Sequence, residues 1–212
     1  MDQRVSRLGM AAMALLAAGV ALYSLRFAAA PFGSWPGIDP DIRGLIEAWP
    51  WRTLIHMLVA PVALLIGPFQ FLPSLRARVP RLHRWSGRIY VAACVIAGAG
   101  GLATAFHATG GPVAGLGFGL LAVLWIGVTL GAWRAAVQRH FALHRLLMRF
   151  SYAMTFAAVT LRLQIPIGLA LGFEGYAAMS PWLAYTSWIP NVIAVAIYSA
   201  AAQRRPALVA PA

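Results

Sequence analysis

Negative charge is the scarcest feature of this sequence. Only five of its 212 residues are Asp or Glu, and none of the five lies inside a long apolar run. That excludes the buried carboxylates on which proton relays and cation-coupled transport usually depend. Cysteine is rarer still. Cys94 stands alone, so neither a disulfide framework nor a cysteine zinc site can form. A single Cys in an apolar stretch reads as a small hydrophobe. Lysine is missing altogether, so all 17 basic residues are arginine. There is also no glycine-rich phosphate loop and no Ser/His/Asp set with plausible spacing.

What fills the chain instead is oil. Hydrophobic residues make up 61% and charged residues 10%, with a mean hydropathy of +0.74. Ordinary soluble domains are about 45–50% apolar and about 25% charged. The composition therefore specifies an all-α, polytopic transmembrane helical bundle forming one membrane domain. A spanning helix needs about 20 mostly apolar residues. Six stretches qualify: residues 8–30, 53–72, 89–107, 112–133, 146–173 and 182–202. The fifth carries Pro166 and is expected to kink near its end. The first has a second reading. Arg4 and Arg7, then an apolar run, then Ala28, Ala29 and Ala30 resemble a cleaved signal peptide, although the run is long and Arg26 is out of place for one. Residues 31–52 form the one sizeable loop, too short to be a domain.

The net charge of +12 does not point to nucleic acid, because the arginines sit between apolar segments rather than over a soluble face. With the N-terminus in the cytoplasm, the cytoplasmic segments hold Arg4 and Arg7, the run from Arg76 to Arg88, Arg134, Arg139, Arg145 and Arg149, and Arg204 and Arg205. The opposite side keeps Arg26, Arg43 and Arg52. This bias orients the chain with both termini cytoplasmic. Trp35, Trp49, Trp51, Trp182 and Trp188 are expected near the outer surface, and Trp85 and Trp133 near the inner one. Ala93, Ala97, Gly101 and Ala105 recur every fourth residue, a stripe that lets helices approach closely.

Five histidines and one intramembrane arginine are left to carry chemistry. They sort by depth: His83, His140 and His144 at the cytoplasmic surface, His56 and His107 near the outer one. Neutral imidazoles on neighbouring helices are how bundles hold b-type haem, and a site at each face would suit electron transfer across a membrane. Interface histidines also occur with no such task. On a straight helix His144 and Arg162 are five full turns apart and share a face with Ser151, Thr155 and Met148. Arg162 costs about 2.5–3.5 kcal/mol on insertion scales when placed at a helix centre. It reads either as a counter-ion for a haem propionate, a quinone oxygen or a lipid phosphate, or as a clamp on backbone carbonyls. Gln70 lies within about 40° of the face of His56 on helix two.

Three stretches resemble a known family: LIGPFQFLPSLR (65–76), LHRWSGRIY (82–90) and HRLLMRFSYAMTFAAVTLR (144–162), together with His56. They are similar to the domain-of-unknown-function 2306 family of bacterial multi-pass membrane proteins. The resemblance covers helices two to five and implies a helical bundle. It points to His56, Gln70, His83, Arg84, Arg88, Tyr90, His144, Arg145 and Arg162, and implies no established activity. In the family pattern a Trp-Met pair and an arginine follow the second His-Arg; here Leu147 and Phe150 stand in those places, with Arg149 one position early. The architecture is also loosely similar to cytochrome b561-type haem bundles.

The expected protein is thus a bacterial inner-membrane bundle with a core of helices two to five. The first functional expectation is a redox protein with haem b on His83 and His144 at one face and on His56, with His107, at the other, and with Arg162 as counter-ion. Gln70, Arg84, Arg88, Tyr90, Arg145, Ser151 and Thr155 would provide polar support. The alternatives are a bundle whose basic rim binds anionic phospholipid or a protein partner, and a small-solute transporter.

Overall fold

In the computed structural model, residues 3–35 and 37–203 are described, with side chains from residue 8 onward. The expected Arg204 and Arg205 contribution, and both chain termini, lie outside the described residues, as do the side chains of Arg4 and Arg7. The described part is all helical. α1 (Gln3–Ser24) runs on through a 3-10 segment, Leu25–Phe32, and is followed by α2 (Pro40–Ala48), α3 (Pro50–Gln70), α4 (Pro73–Arg78) and α5 (Pro80–Ala105). Then come α6 (Gly111–Val137), α7 (Phe141–Thr155), α8 (Ala157–Ala170), α9 (Gly175–Thr186) and α10 (Ile189–Gln203). Six of these units are long and apolar enough to cross a membrane, with α1 plus the 3-10 segment, α7 plus α8, and α9 plus α10 each acting as one.

Prolines set the starts. α2, α3, α4 and α5 each begin on one, where the missing N–H costs nothing. A proline also drives the residue before it out of the helical region. Trp49 and Val79, which precede Pro50 and Pro80, adopt nearly the same backbone geometry (φ −137°, ψ 61° and φ −133°, ψ 64°). The chain therefore breaks at each and restarts at once. As a result α5 starts at Pro80, well before residue 89, and most of the basic run is helix.

The fifth span breaks at Phe156, between α7 and α8, while Pro166 lies inside α8. Side chains hold the break by taking up its carbonyls: Thr155 Oγ1 donates to Ser151 O (2.9 Å), Asn191 Nδ2 to Ala153 O (3.2 Å) and Arg162 Nη1 to Ala158 O (3.0 Å). Such back-bonding bends helices. The sixth span starts at Gly175, so Trp188 sits between α9 and α10. It is buried there rather than at the outer surface, and its Nε1 donates to Ala184 O at 2.7 Å.

α3 and α5 pack most extensively, and Gly101 of the small-residue stripe lies at their contact. A Cβ on Gly100 would lie 2.8 Å from Arg52 O, and one on Gly101 2.8 Å from His56 Nδ1. Outward-facing leucines, valines and phenylalanines, such as Leu15, Phe106 and Val123, are exposed as lipid-facing residues are. The two faces are named here by their surface helices, the α2 face and the α4 face. Asp41 ties the α2 face together by accepting from Ala177 N (2.9 Å) at the start of α9.

Candidate functional site

The polar residues inside the bundle fall into two groups. The first is a closed cluster. Tyr90 (α5) places its hydroxyl 2.9 Å from both Ser151 Oγ and Thr155 Oγ1 (α7). Thr129 (α6) lies 2.7 Å from Ser151 Oγ, and Trp125 Nε1 donates to Thr155 Oγ1 at 2.9 Å. Since Thr155 gives its proton to the Ser151 carbonyl, one arrangement satisfies every hydroxyl. Thr129 donates to Ser151, Ser151 to Tyr90, and Tyr90 to Thr155. Tyr90, Thr129 and Ser151 are fully buried. Ser151 and Thr155 therefore join three helices, as polar glue does in membranes.

The second group surrounds a cavity of about 510 Å³ lined at the α2 face by Gly37, Asp39, Ile42 and Leu45, within the range of about 300–1,000 Å³ typical of small-molecule sites. Its walls are mostly apolar and come from α1 and its 3-10 extension, α2, α3, α5, α6, α7, α8 and α9. His56, Arg162 and Arg26 all line it. The His56 Nδ1–H donates to Ala97 O at 2.9 Å. A carbonyl can only accept, so Nε2 is the unprotonated nitrogen of the neutral ring, and it makes no hydrogen bond among the described residues. Metal-binding histidines are prepared in this way.

Arg162 lies within charge-interaction range of His56. Besides Ala158 O it reaches Ser24 Oγ at 3.4 Å, so part of the guanidinium does act as a clamp. It has no carboxylate partner, because the one ion pair among the described residues is the exposed Arg43–Glu47 (2.9 Å). Arg26 bonds to the Tyr23 hydroxyl and to Gly37 O, and its Nε is buried without a partner. Thr109 and Ser187 on the same walls also carry buried hydroxyls with no partner. Asp39 is the acid on the lining, but its carboxylate caps α2 by accepting from Asp41 N at 2.9 Å.

The remaining predicted residues lie elsewhere. His107 is exposed, tilted against Trp49 (centroids 4.2 Å apart, planes at 46°) and accepting from Arg52 Nη1 at 3.3 Å. It does not line the cavity with His56. His83 and His144 meet at the α4 face within charge-interaction range of each other. His144 Nδ1–H donates to Ala132 O (2.9 Å), and His83 Nδ1 is buried without a partner. Gln70 Nε2 donates to Ser86 Oγ (2.8 Å), fastening the end of α3 to the start of α5. Arg84, Arg88 and Arg145 are exposed, with Arg88 lying over the Trp85 ring at 4.8 Å. No group of three or more potential metal-ligating side chains occurs among the described residues.

Sequence reasoning missed Arg26, Thr109, Thr129, Trp125 and Ser187. Thr129 and Ser187 carried a usable sign, a hydroxyl in the middle of an apolar run. Arg26 carried another, a cation where the first span should be purely apolar.

A family model described as "Predicted membrane protein (DUF2306)" matches residues 53–199, more than half of the chain and all of α5 to α9. No curated protein and no solved structure matches.

Proposed function

We propose that this chain, which belongs to the DUF2306 family of predicted membrane proteins, is a membrane redox protein that binds haem b in the α2-face cavity. The observation that carries the reading is the pairing of His56 and Arg162 on one apolar cavity. His56 is fixed through Nδ1 with Nε2 left over, and Arg162 has no acid to answer it. His56 would hold the iron, and Arg162 and Arg26 the propionates. Met57, Met154 and Met179 bring thioethers to the same walls, a ligand type used opposite histidine in cytochromes c. Haem b, when bound, supplies a one-electron couple. The protein's own part is to keep water from that group with apolar walls and to hold the His56 tautomer through Ala97 O. The reading places the protein in the bacterial inner membrane with the α4 face toward the cytoplasm, supported by the arginines on that face.

The test is a reduced-minus-oxidised spectrum and a pyridine haemochromogen assay on the full chain purified in mild detergent. A Soret and an α-band are expected for the wild type and for His107→Ala, and their loss in His56→Ala. A haem-free wild type sinks the proposal. So does haem that survives His56→Ala but disappears in His83→Ala, since that outcome moves the group to the other face.

A further inference from the structure

We propose that the α4 face is a binding site for the phosphate of an anionic phospholipid, centred on His83 and His144. Arg76, Arg78, Arg81, Arg84, Arg88 and Arg145 are all exposed on this face, and among the described residues none lies within ion-pair distance of a carboxylate. The four described acids, Asp39, Asp41, Glu47 and Glu174, all belong to the α2 face. Among the described residues, no acid answers the positive charge of the α4 face.

At the centre of this charge lies a polar feature that lacks a partner. The His83 Nδ1 is buried with nothing to bond, and Arg76, Arg84 and His144 all lie within charge range of it. His144 is oriented by its bond to Ala132 O. Two imidazoles in such surroundings do not favour a cation, because each nearby arginine repels it. They favour an oxyanion, which accepts from guanidinium forks and from the His83 ring N–H, while His144 keeps its Nδ1–H on Ala132 O. The bilayer is the source that the geometry favours. Exposed Leu82, Trp85, Ile89 and Trp133 flank the cluster, and tryptophans settle at head-group depth. Anionic leaflets attract such segments by about 1 kcal/mol per basic residue near the surface.

The experiment is native mass spectrometry of the detergent-purified full chain, offered phosphatidylglycerol, phosphatidylcholine or inorganic phosphate. Phosphatidylglycerol should be retained several-fold over phosphatidylcholine. His83→Gln and Arg84→Gln should each lower that retention about fivefold, the equivalent of ~1 kcal/mol. Arg84→Lys and the cavity variant His56→Ala should keep it. Equal retention of the two lipids overturns the proposal, as does undiminished retention in both Gln variants. Binding of inorganic phosphate that excludes the lipid overturns the lipid assignment. None of these outcomes depends on haem.

Discussion

The closed cluster around Tyr90 and the cavity around His56 lie in one bundle, and both bring polar side chains into an apolar interior. They differ in how far the protein completes them. In the cluster each hydroxyl proton has an acceptor. In the cavity, Arg26 Nε and the Thr109 and Ser187 hydroxyls have no partner among the described residues, and Arg162 has no counter-charge among them. Leaving a buried polar group unmade costs about 1–3 kcal/mol. The cluster is therefore explained by the fold alone, whereas the cavity keeps polar groups open, as the proposed bound group requires. Thr155 and Trp125 belong to both, since they close the cluster and also line the cavity.

The sharpest way to break this contrast is to disturb the closely packed half of the bundle beside the cluster, where Tyr152 follows Ser151 on α7. A Cβ on Gly67 would fall 2.0 Å from Tyr152 Cε2. That ring cannot swing aside. It is 3% exposed, its hydroxyl donates to Leu64 O at 3.2 Å, and Phe71 meets it edge-on at 5.7 Å. Overpacking typically costs about 1–3 kcal/mol, so Gly67→Ala should give the largest fall in thermal midpoint of the variants discussed here. Adding Tyr152→Leu should recover part of it. A Gly67→Ala protein as stable as wild type would mean that this half is looser than its packing implies.

A smaller effect is expected inside the cluster. Ser151→Ala strands the Thr129 hydroxyl and removes one donor from Tyr90. Membrane hydrogen bonds average about 0.6 kcal/mol and reach about 1.7, so the loss should be roughly 1 kcal/mol in a detergent unfolding titration. Haem content should be unchanged. If haem is lost while stability holds, the cluster belongs to the site and the contrast fails.

How much of this was legible depends on whether a feature is linear in the chain. The count of spans was, because hydropathy accumulates along one segment. The separation of the histidines along the bundle follows from the same segments: His83 and His144 lie at the α4 face, and His56 lines the cavity. The start of α5 was not legible, since arginines end a hydropathy window but do not end a helix. The predicted common face of His144 and Arg162 assumed a straight helix. The break at Phe156 interrupts it, so that Arg162 faces the cavity while Ser151 is enclosed in the cluster. The cavity itself was illegible, because its walls come from segments as distant as Arg26 and Ser187. No period along a single helix encodes that meeting.

The smallest predicted effect discriminates best. Ser187 is fully buried and lines the cavity, and its hydroxyl bonds to nothing among the described residues. If its hydroxyl served the fold, Ser187→Ala would behave like Ser151→Ala. If it faces a bound group, the ligand-free protein should hold its stability within ~0.5 kcal/mol or gain slightly, because an unmade bond disappears with the hydroxyl. The cost should appear only in the haem-loaded protein, as a faster loss of the Soret band on dilution into apomyoglobin. A destabilised ligand-free Ser187→Ala protein would mean that the cavity, like the cluster, exists for packing.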